Sequence, residues 1–205
     1  MRLLKPSDAE IWTKFKNGDG DALSFIYAEN SNKLYLYGLK LTTNYSIIED
    51  SIHDLFSDLI RNRKKLGETD NIHFYLIKSF KRRLQRQLHK EQRYNLKDND
   101  QEYAFDITYS IEHDIILEEN SNQKIRFLNE ALKDLTPRQK EAVYLKFTQG
   151  VEYVDIAEMM DMSVESCRNL ICKAIKSLKE SLQPSGSTPL FLLFIQSLAK
   201  KNKKS

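Results

Sequence analysis

The side chains in this sequence with chemistry to offer fall into three sets. In the first, Glu165, Ser166, Asn169, Lys173 and Lys176 recur among apolar Val164, Cys167, Ile171 and Ile175 at three- and four-residue spacing. On a helix that pattern leaves one polar face, of a size that reaches base edges and phosphates in a DNA major groove. In the second, Lys78, Arg82, Arg86, His89 and Arg93 line one side of a stretch whose other side is Ile77, Phe80, Leu84 and Leu88, with Phe74 and Tyr75 interleaved. Cations so placed grip a phosphate backbone, and rings beside them offer stacking platforms. The third set is Glu49 and His53, one helical turn apart with Asp50 and Asp54 alongside, a spacing that suits a metal ion. A hydrolytic centre also needs a matching ligand helix, and His73, His89 and His113 lack carboxylates at ligand spacing on an apolar face. With neither a Gly-rich phosphate loop nor a nucleophile motif, the residues favour binding over bond-making, and no enzyme, metal or cofactor is expected.

These sets must be positioned by a fold, and the composition favours helices. The chain has 205 residues, enough for one large or two small domains, and is 40% hydrophobic and 30% charged with a mean hydropathy of −0.56. Ten Tyr and ten Phe are too many aromatics for a disordered chain, and only four Pro and six Gly disfavour a sandwich of short strands. Cys167 and Cys172, five apart in one expected helix, cannot easily bridge and have no zinc partners. The opening MRLLKPSDAE lacks an apolar signal core, and the longest apolar run, Leu190 to Ile195, is far short of the roughly 20 residues that span a bilayer. A reducing, cytoplasmic location is the expectation.

The net charge of +3 hides strong segregation. Residues 44–60 carry Glu49, Asp50, Asp54 and Asp58 and no Lys or Arg; residues 61–93 hold eleven basic against three acidic side chains; residues 94–120 hold eight acidic against Lys97 alone. One polyanion-binding surface flanked by acidic ones is the functional reading, and solvated helix faces are the bland one.

Periodicity turns the blocks into elements. Ile48, Ile52, Leu55 and Leu59 form one stripe with Asp50, Asp54 and Asp58 on the far side, an amphipathic helix with an acidic ridge. Residues 72–93 form a helix both buried and basic. Upstream, Ile11, Trp12 and Phe15 precede a stop at Asn17-Gly18-Asp19, and a helix resumes from Ala22 to Leu41. Residues 94–122 lose regularity and read as an acidic linker. Thr136-Pro137-Arg138-Gln139 is a capping box opening a helix that should end at Gln149-Gly150. Next come a helix Tyr153–Met160, a turn at Asp161-Met162-Ser163 and a helix from Val164 to about Leu182, which is helix-turn-helix grammar. Ile156, Ala157 and Met160 should pack inward, Met162 plug the turn, Ser163 cap the second helix, and Val164, Cys167, Ile171 and Ile175 complete the core.

Several of these motifs together resemble the extracytoplasmic-function (ECF) subfamily of the sigma-70 family, the promoter-recognition subunits of bacterial RNA polymerase. Ile11-Trp12, Asn17-Gly18-Asp19, Asp21-Ala22-Leu23, Ile26-Tyr27 and Leu34-Tyr35 are similar to the opening of the family's region 2, and Ile48 to Phe56 to its acidic helix. Leu135 to Leu182 resembles region 4, above all Tyr153 to Glu158 and Ser163-Val164. The resemblance implies an all-α fold of two helical domains: 8–93 region 2-like, 94–122 an acidic linker through the polymerase channel, 123–183 region 4-like, with 184–205 a tail outside it. It implies that Asp50, Asp54, Leu55 and Phe56 bind the polymerase core, a partner of β and β′ subunits. Tyr75, Lys78, Arg82 and Arg86 would hold the −10 promoter element, the loop 63–71 a flipped base, and Ser166, Arg168, Asn169 and Lys173 the −35 element. An anti-sigma factor is the further partner implied, and a small-molecule substrate is not.

The chain departs from the family pattern at Asp161, where Gly is usual, at Leu170, where Arg is common, and at Arg82, where Asn is common. Tyr75 alone stands for the region 2 tryptophan. The tail, apolar from Leu190 to Ile195 and then lysine-rich, reads as a docking peptide or a disordered end. An autonomous helix-turn-helix regulator is the alternative function.

Overall fold

A computed structural model of the chain describes residues 6–94, 105–107 and 128–182. Every regular element among them is helical, and the chain divides into two compact units, Met1–Gln101 and Glu102–Ser205.

The N-terminal unit packs four helices, α1 (Asp8–Lys16), α2 (Gly20–Gly38), α3 (Tyr45–Asn62) and α4 (Ile72–Tyr94), with a 3₁₀ turn at Arg63–Lys65. Side chains set the starts. Ser7 and Glu10 form a capping box on α1, Asp19 accepts from the amides of Asp21 and Ala22 on α2, and Asn44 accepts from Ile47 N on α3. The stop expected at Asn17–Asp19 is present, with Gly18 at a φ of +94°. α2 ends at Gly38 rather than at Leu41, because the chain tightens there into turns, Lys40 N donating to Tyr37 O and Leu41 N to Gly38 O. Gly38 is where α2 crosses its neighbours: a Cβ would stand 2.8 Å from Ile48 Cγ2 and 3.2 Å from Phe80 Cζ.

The stripe Ile48, Ile52, Leu55 and Leu59 is buried as expected, and α4 buries Ile77, Phe80 and Leu84. Leu88 is only half-buried, while Ile72 and Leu76 extend the stripe toward the start of the helix. Trp12 lies at the centre, fully buried, and its indole N–H donates to Gly67 O at 2.8 Å. That bond, with the Lys16–Glu68 ion pair and the bond from Ile72 N to Asp8, ties the loop between α3 and α4 to α1.

The C-terminal unit contains the helical residues 128–133 (α5), then α6 (Pro137–Val143), a π-turn (Tyr144–Thr148), α7 (Tyr153–Met159) and α8 (Val164–Leu182). The capping box at Thr136 is formed, Gln139 N donating to Thr136 Oγ1 at 3.3 Å and Thr136 N to Gln139 Oε1 at 2.9 Å. The helix it opens does not stay α-helical to Gln149. Its last turn widens, Gln149 N reaching Tyr144 O at 3.1 Å while the Gln149 amide donates to the buried Tyr144 hydroxyl. Ile156, Ala157 and Met160 are buried as expected. Along α8 the buried line is Cys167, Ile171, Ala174, Leu178 and Leu182, so Val164 and Ile175, expected in the core, are only half-buried at its edge.

The acidic stretch holds a surprise. Phe105 is 1% exposed with its ring 5.8 Å from that of Tyr144, Ile107 is buried, and Asp106 between them pairs with Lys140 at 2.9 Å. Read as part of a linker, these three residues instead pack in the C-terminal unit, with Phe105 and Ile107 buried and Asp106 between them exposed. The rest of the linker, 95–104 and 108–122, lies outside the described residues, as do 123–127, residue 183 and the tail 184–205.

Candidate nucleic-acid interface

In the N-terminal unit α3 and α4 flank a cleft of about 280 Å³, lined among others by Asp58, Asn62, Tyr75, Arg82, Arg83 and Arg86. Arg82 and Arg86 are exposed beside it. Tyr75 is half-buried and its ring meets that of Trp12 at a tilt of 58°, with centroids 5.1 Å apart. Burial pushes its hydroxyl above the usual tyrosine range, with Arg82 pulling the other way. Lys78 Nζ lies 5.7 Å from the Phe74 ring centroid, on the flank of the same helix. The four residues expected to hold DNA in this unit therefore all lie on the half of α4 that turns away from the core, with Tyr75, Arg82 and Arg86 together at the cleft. The loop 63–71 borders it through Leu66, and Asn71 caps α4 by accepting from Phe74 N at 3.0 Å.

The acidic ridge separates into two parts. Asp50 is exposed and has no ion pair among the described residues. Asp54 and Asp58 turn toward α4, where both meet Arg83, Asp54 at 3.7 Å. Leu55 and Phe56 require a correction, since both are buried in the unit's own core and neither is a surface anchor for a partner. Phe56 follows Ile52 by one turn, and Tyr27 of α2 covers it, with ring centroids 4.9 Å apart; Tyr27, 50% exposed, presents the apolar surface there. Glu49 and His53 are exposed, and among the described residues no group of three or more His, Cys, Asp or Glu could hold a metal ion.

In the C-terminal unit α7, the turn and α8 form the helix-turn-helix. Asp161 takes the left-handed conformation at φ +50°, which Gly adopts most easily. Met162 N returns to Ala157 O at 3.0 Å, and Ser163 caps α8 by accepting from Ser166 N at 3.1 Å. Ser166, Asn169 and Lys173 are exposed along one face of α8; the Ser166 and Ser163 hydroxyls share a hydrogen bond, and Asn169 and Lys173 have no partner among the described residues. Arg168 lies on the flank of that face, its guanidinium 5.6 Å from the Tyr153 ring centroid.

Sequence reasoning missed three groups that hold this arrangement. Arg138 of α6 donates to Met160 O at 2.6 Å, closing the end of α7 just before the turn. Lys146 sits 4.7 Å from the same Tyr153 ring and pairs with Glu152. In the other unit Arg83 bridges the acidic and basic helices. Each acts between elements, so no period along one helix shows it. Cys167 is buried, which raises its thiol above the ordinary value, with Lys146 opposing; Cys172 is free and exposed.

Residues 128–178 match the family described as "Sigma-70, region 4", a span that contains α5 to α7 and most of α8. No curated protein matches the chain by sequence. Two of the solved structures that share its fold are complexes. One is the sigma factor RpoE in complex with the anti-sigma factor NepR from Bartonella quintana, 18% identical, with 82% of this chain and 98% of that one covered at a TM-score of 0.54. The other is CnrH in complex with the cytosolic domain of CnrY, 13% identical, covering 87% and 99% at a TM-score of 0.57. The family match thus lies on the helix-turn-helix unit alone, and the likeness to the two solved structures is one of fold.

Proposed function

We propose that this protein is an ECF-type sigma factor that binds bacterial RNA polymerase core and directs promoter recognition, strand opening and initiation. The carrying observation is the separation of surfaces. Exposed carboxylate on α3, arginines at the α4 cleft and a polar helix-turn-helix face stand on distinct elements of a chain with a region 4 match. Each surface suits a different macromolecule. Asp50 and the exposed side of Asp54 offer charge to a basic surface of the core, and Tyr27 supplies an apolar contact beside them. In the cleft, Arg82 and Arg86 neutralise the backbone of one strand while Lys78 adds charge on the flank. The exposed side of Tyr75 offers a ring to an unpaired base, and the loop 63–71 the pocket wall for one that is flipped. Ser166, Arg168, Asn169 and Lys173 meet the −35 duplex, Asn169 by an amide suited to a base edge and Lys173 by charge on a phosphate.

The mechanism is binding throughout. Opening the duplex is favoured because the separated strand gains contacts with cations and aromatics that paired DNA does not offer. The site of action is the cytoplasm, and no helix among the described residues is long and apolar enough to cross a membrane. An anti-sigma factor is the regulatory partner, supported by the complexes in which the two structural neighbours were solved.

The test is promoter-fragment binding with and without purified core. A sigma factor binds its promoter well only with core, and Asp50→Lys weakens core binding. Tight operator binding by the chain alone, as a dimer on paired half-sites, would favour an autonomous regulator instead.

A further inference from the structure

One guanidinium is shared by the two surfaces assigned to polymerase and to the −10 strand. Arg83 meets Asp58 through Nη2 and Asp54 Oδ2 through Nη1 at 3.7 Å, and Gln87, one turn on, donates to that same Asp54 oxygen at 3.4 Å. Gln87 is itself held by the Ser51 hydroxyl, which donates to its Oε1 at 2.6 Å. Arg83 lines the cleft with Arg82, Arg86 and Tyr75, and among the described residues it differs from those two arginines in having its charge answered by two carboxylates. Its Nε–H is buried without a hydrogen-bond partner, so the present arrangement leaves one of its donors unused.

We propose that Arg83 couples polymerase docking to DNA binding. In the free chain Asp54 and Asp58 hold its charge back from nucleic acid; when a basic group of the core captures Asp54, Arg83 turns to a phosphate of the strand in the cleft. The inference rests on the sigma-factor reading above and specifies its regulation. Two physical points carry it. Asp54 is half exposed, so a partner can reach it while it still contacts Arg83. An ion pair this exposed is also weak, worth about two- to fivefold in an equilibrium, and a competing charge can displace it. A phosphate then offers the guanidinium the paired N–H···O bonds that its fork geometry suits.

The test measures binding of the full chain, without polymerase, to fluorescein-labelled single-stranded oligo(dT) across a salt series. Asp54→Asn should tighten binding about two- to fivefold. It should also steepen the dependence of log K on log salt by about 0.7, the increment of one further phosphate contact on a single strand. Glu49→Gln removes the same charge from α3 at an exposed site away from Arg83 and should show little of either effect. Arg83→Gln placed on Asp54→Asn should abolish the gain and Arg83→Lys should keep part of it, which separates lost charge from lost folding. Equal gains from Asp54→Asn and Glu49→Gln, or a gain that survives Arg83→Gln, would overturn the coupling while leaving promoter-dependent initiation intact. Failure of every variant to bind DNA, together with absent initiation, would remove the sigma-factor reading and the coupling with it.

Discussion

Phe105 offers a sharp test of where the C-terminal unit begins. Its ring is 1% exposed and packs edge-on against Tyr144, so Phe105→Ala removes an almost fully buried aromatic side chain. Core Phe→Ala changes cost about 3–5 kcal/mol, depending on how far the site collapses. Phe105 is in no helix, so its backbone can shift into the space, and the low end, about 3 kcal/mol, is expected. For a unit of roughly 100 residues each kcal/mol lowers Tm by about 4–8 °C, which gives a fall of about 12–24 °C. Asp106→Asn is the internal control: its pair with Lys140 has the carboxylate 70% exposed, and its loss should cost no more than about 1 kcal/mol. Calorimetry of the full chain reads the shift, and hydrogen exchange assigns it to peptides of α6 and the π-turn. A fall no larger than that of Asp106→Asn would refute the packing of this segment and return 105–107 to the linker.

Three other outcomes follow from the same geometry. Gly38→Ala forces a Cβ to within 2.8 Å of Ile48 and should destabilise the N-terminal unit by about 1–3 kcal/mol in denaturant unfolding, with an unchanged midpoint counting against the close crossing. Lys173→Ala should weaken binding of holoenzyme to −35 duplex and flatten its salt dependence by about 0.9, the increment of one phosphate; an unaltered slope would move the recognition face elsewhere. A disulfide-exchange reagent at mild alkaline pH should modify one thiol per folded chain quickly, exposed Cys172, while burial puts Cys167 out of reach and pushes its thiol up, away from the reactive thiolate. Two fast thiols would contradict the packing of α8.

How much of this was legible in the residues depends on the range of the interaction. The capping box at Thr136, the stop at Asn17–Asp19, the stripe of α3 and the turn at Asp161 are local, each governed by side chains within a few positions of one another, and all form as expected. Phe56 is different. A helical wheel puts it beside the stripe rather than in it, and only the arrival of Tyr27 from α2 decides that it is covered. Arg83 is only one of the eleven basic side chains of residues 61–93 until its pairing with Asp54 and Asp58 is seen across the helix interface. Phe105 and Ile107 were concealed by the acidic composition around them, since two apolar residues flanking an aspartate set no period. The same holds for α8: its seam drifts to Ala174 and Leu178, because what packs against the helix changes along its length.

The account's central claim is that this chain confers promoter specificity on a polymerase it does not itself contain. Run-off transcription from a library of promoter fragments, with purified bacterial core polymerase and with or without this protein, tests it most directly. Specific initiation that requires the protein is the predicted result, and the start sites would yield its −35 and −10 sequences together. No initiation with a compatible core, while the protein alone binds duplex DNA tightly, would contradict the claim.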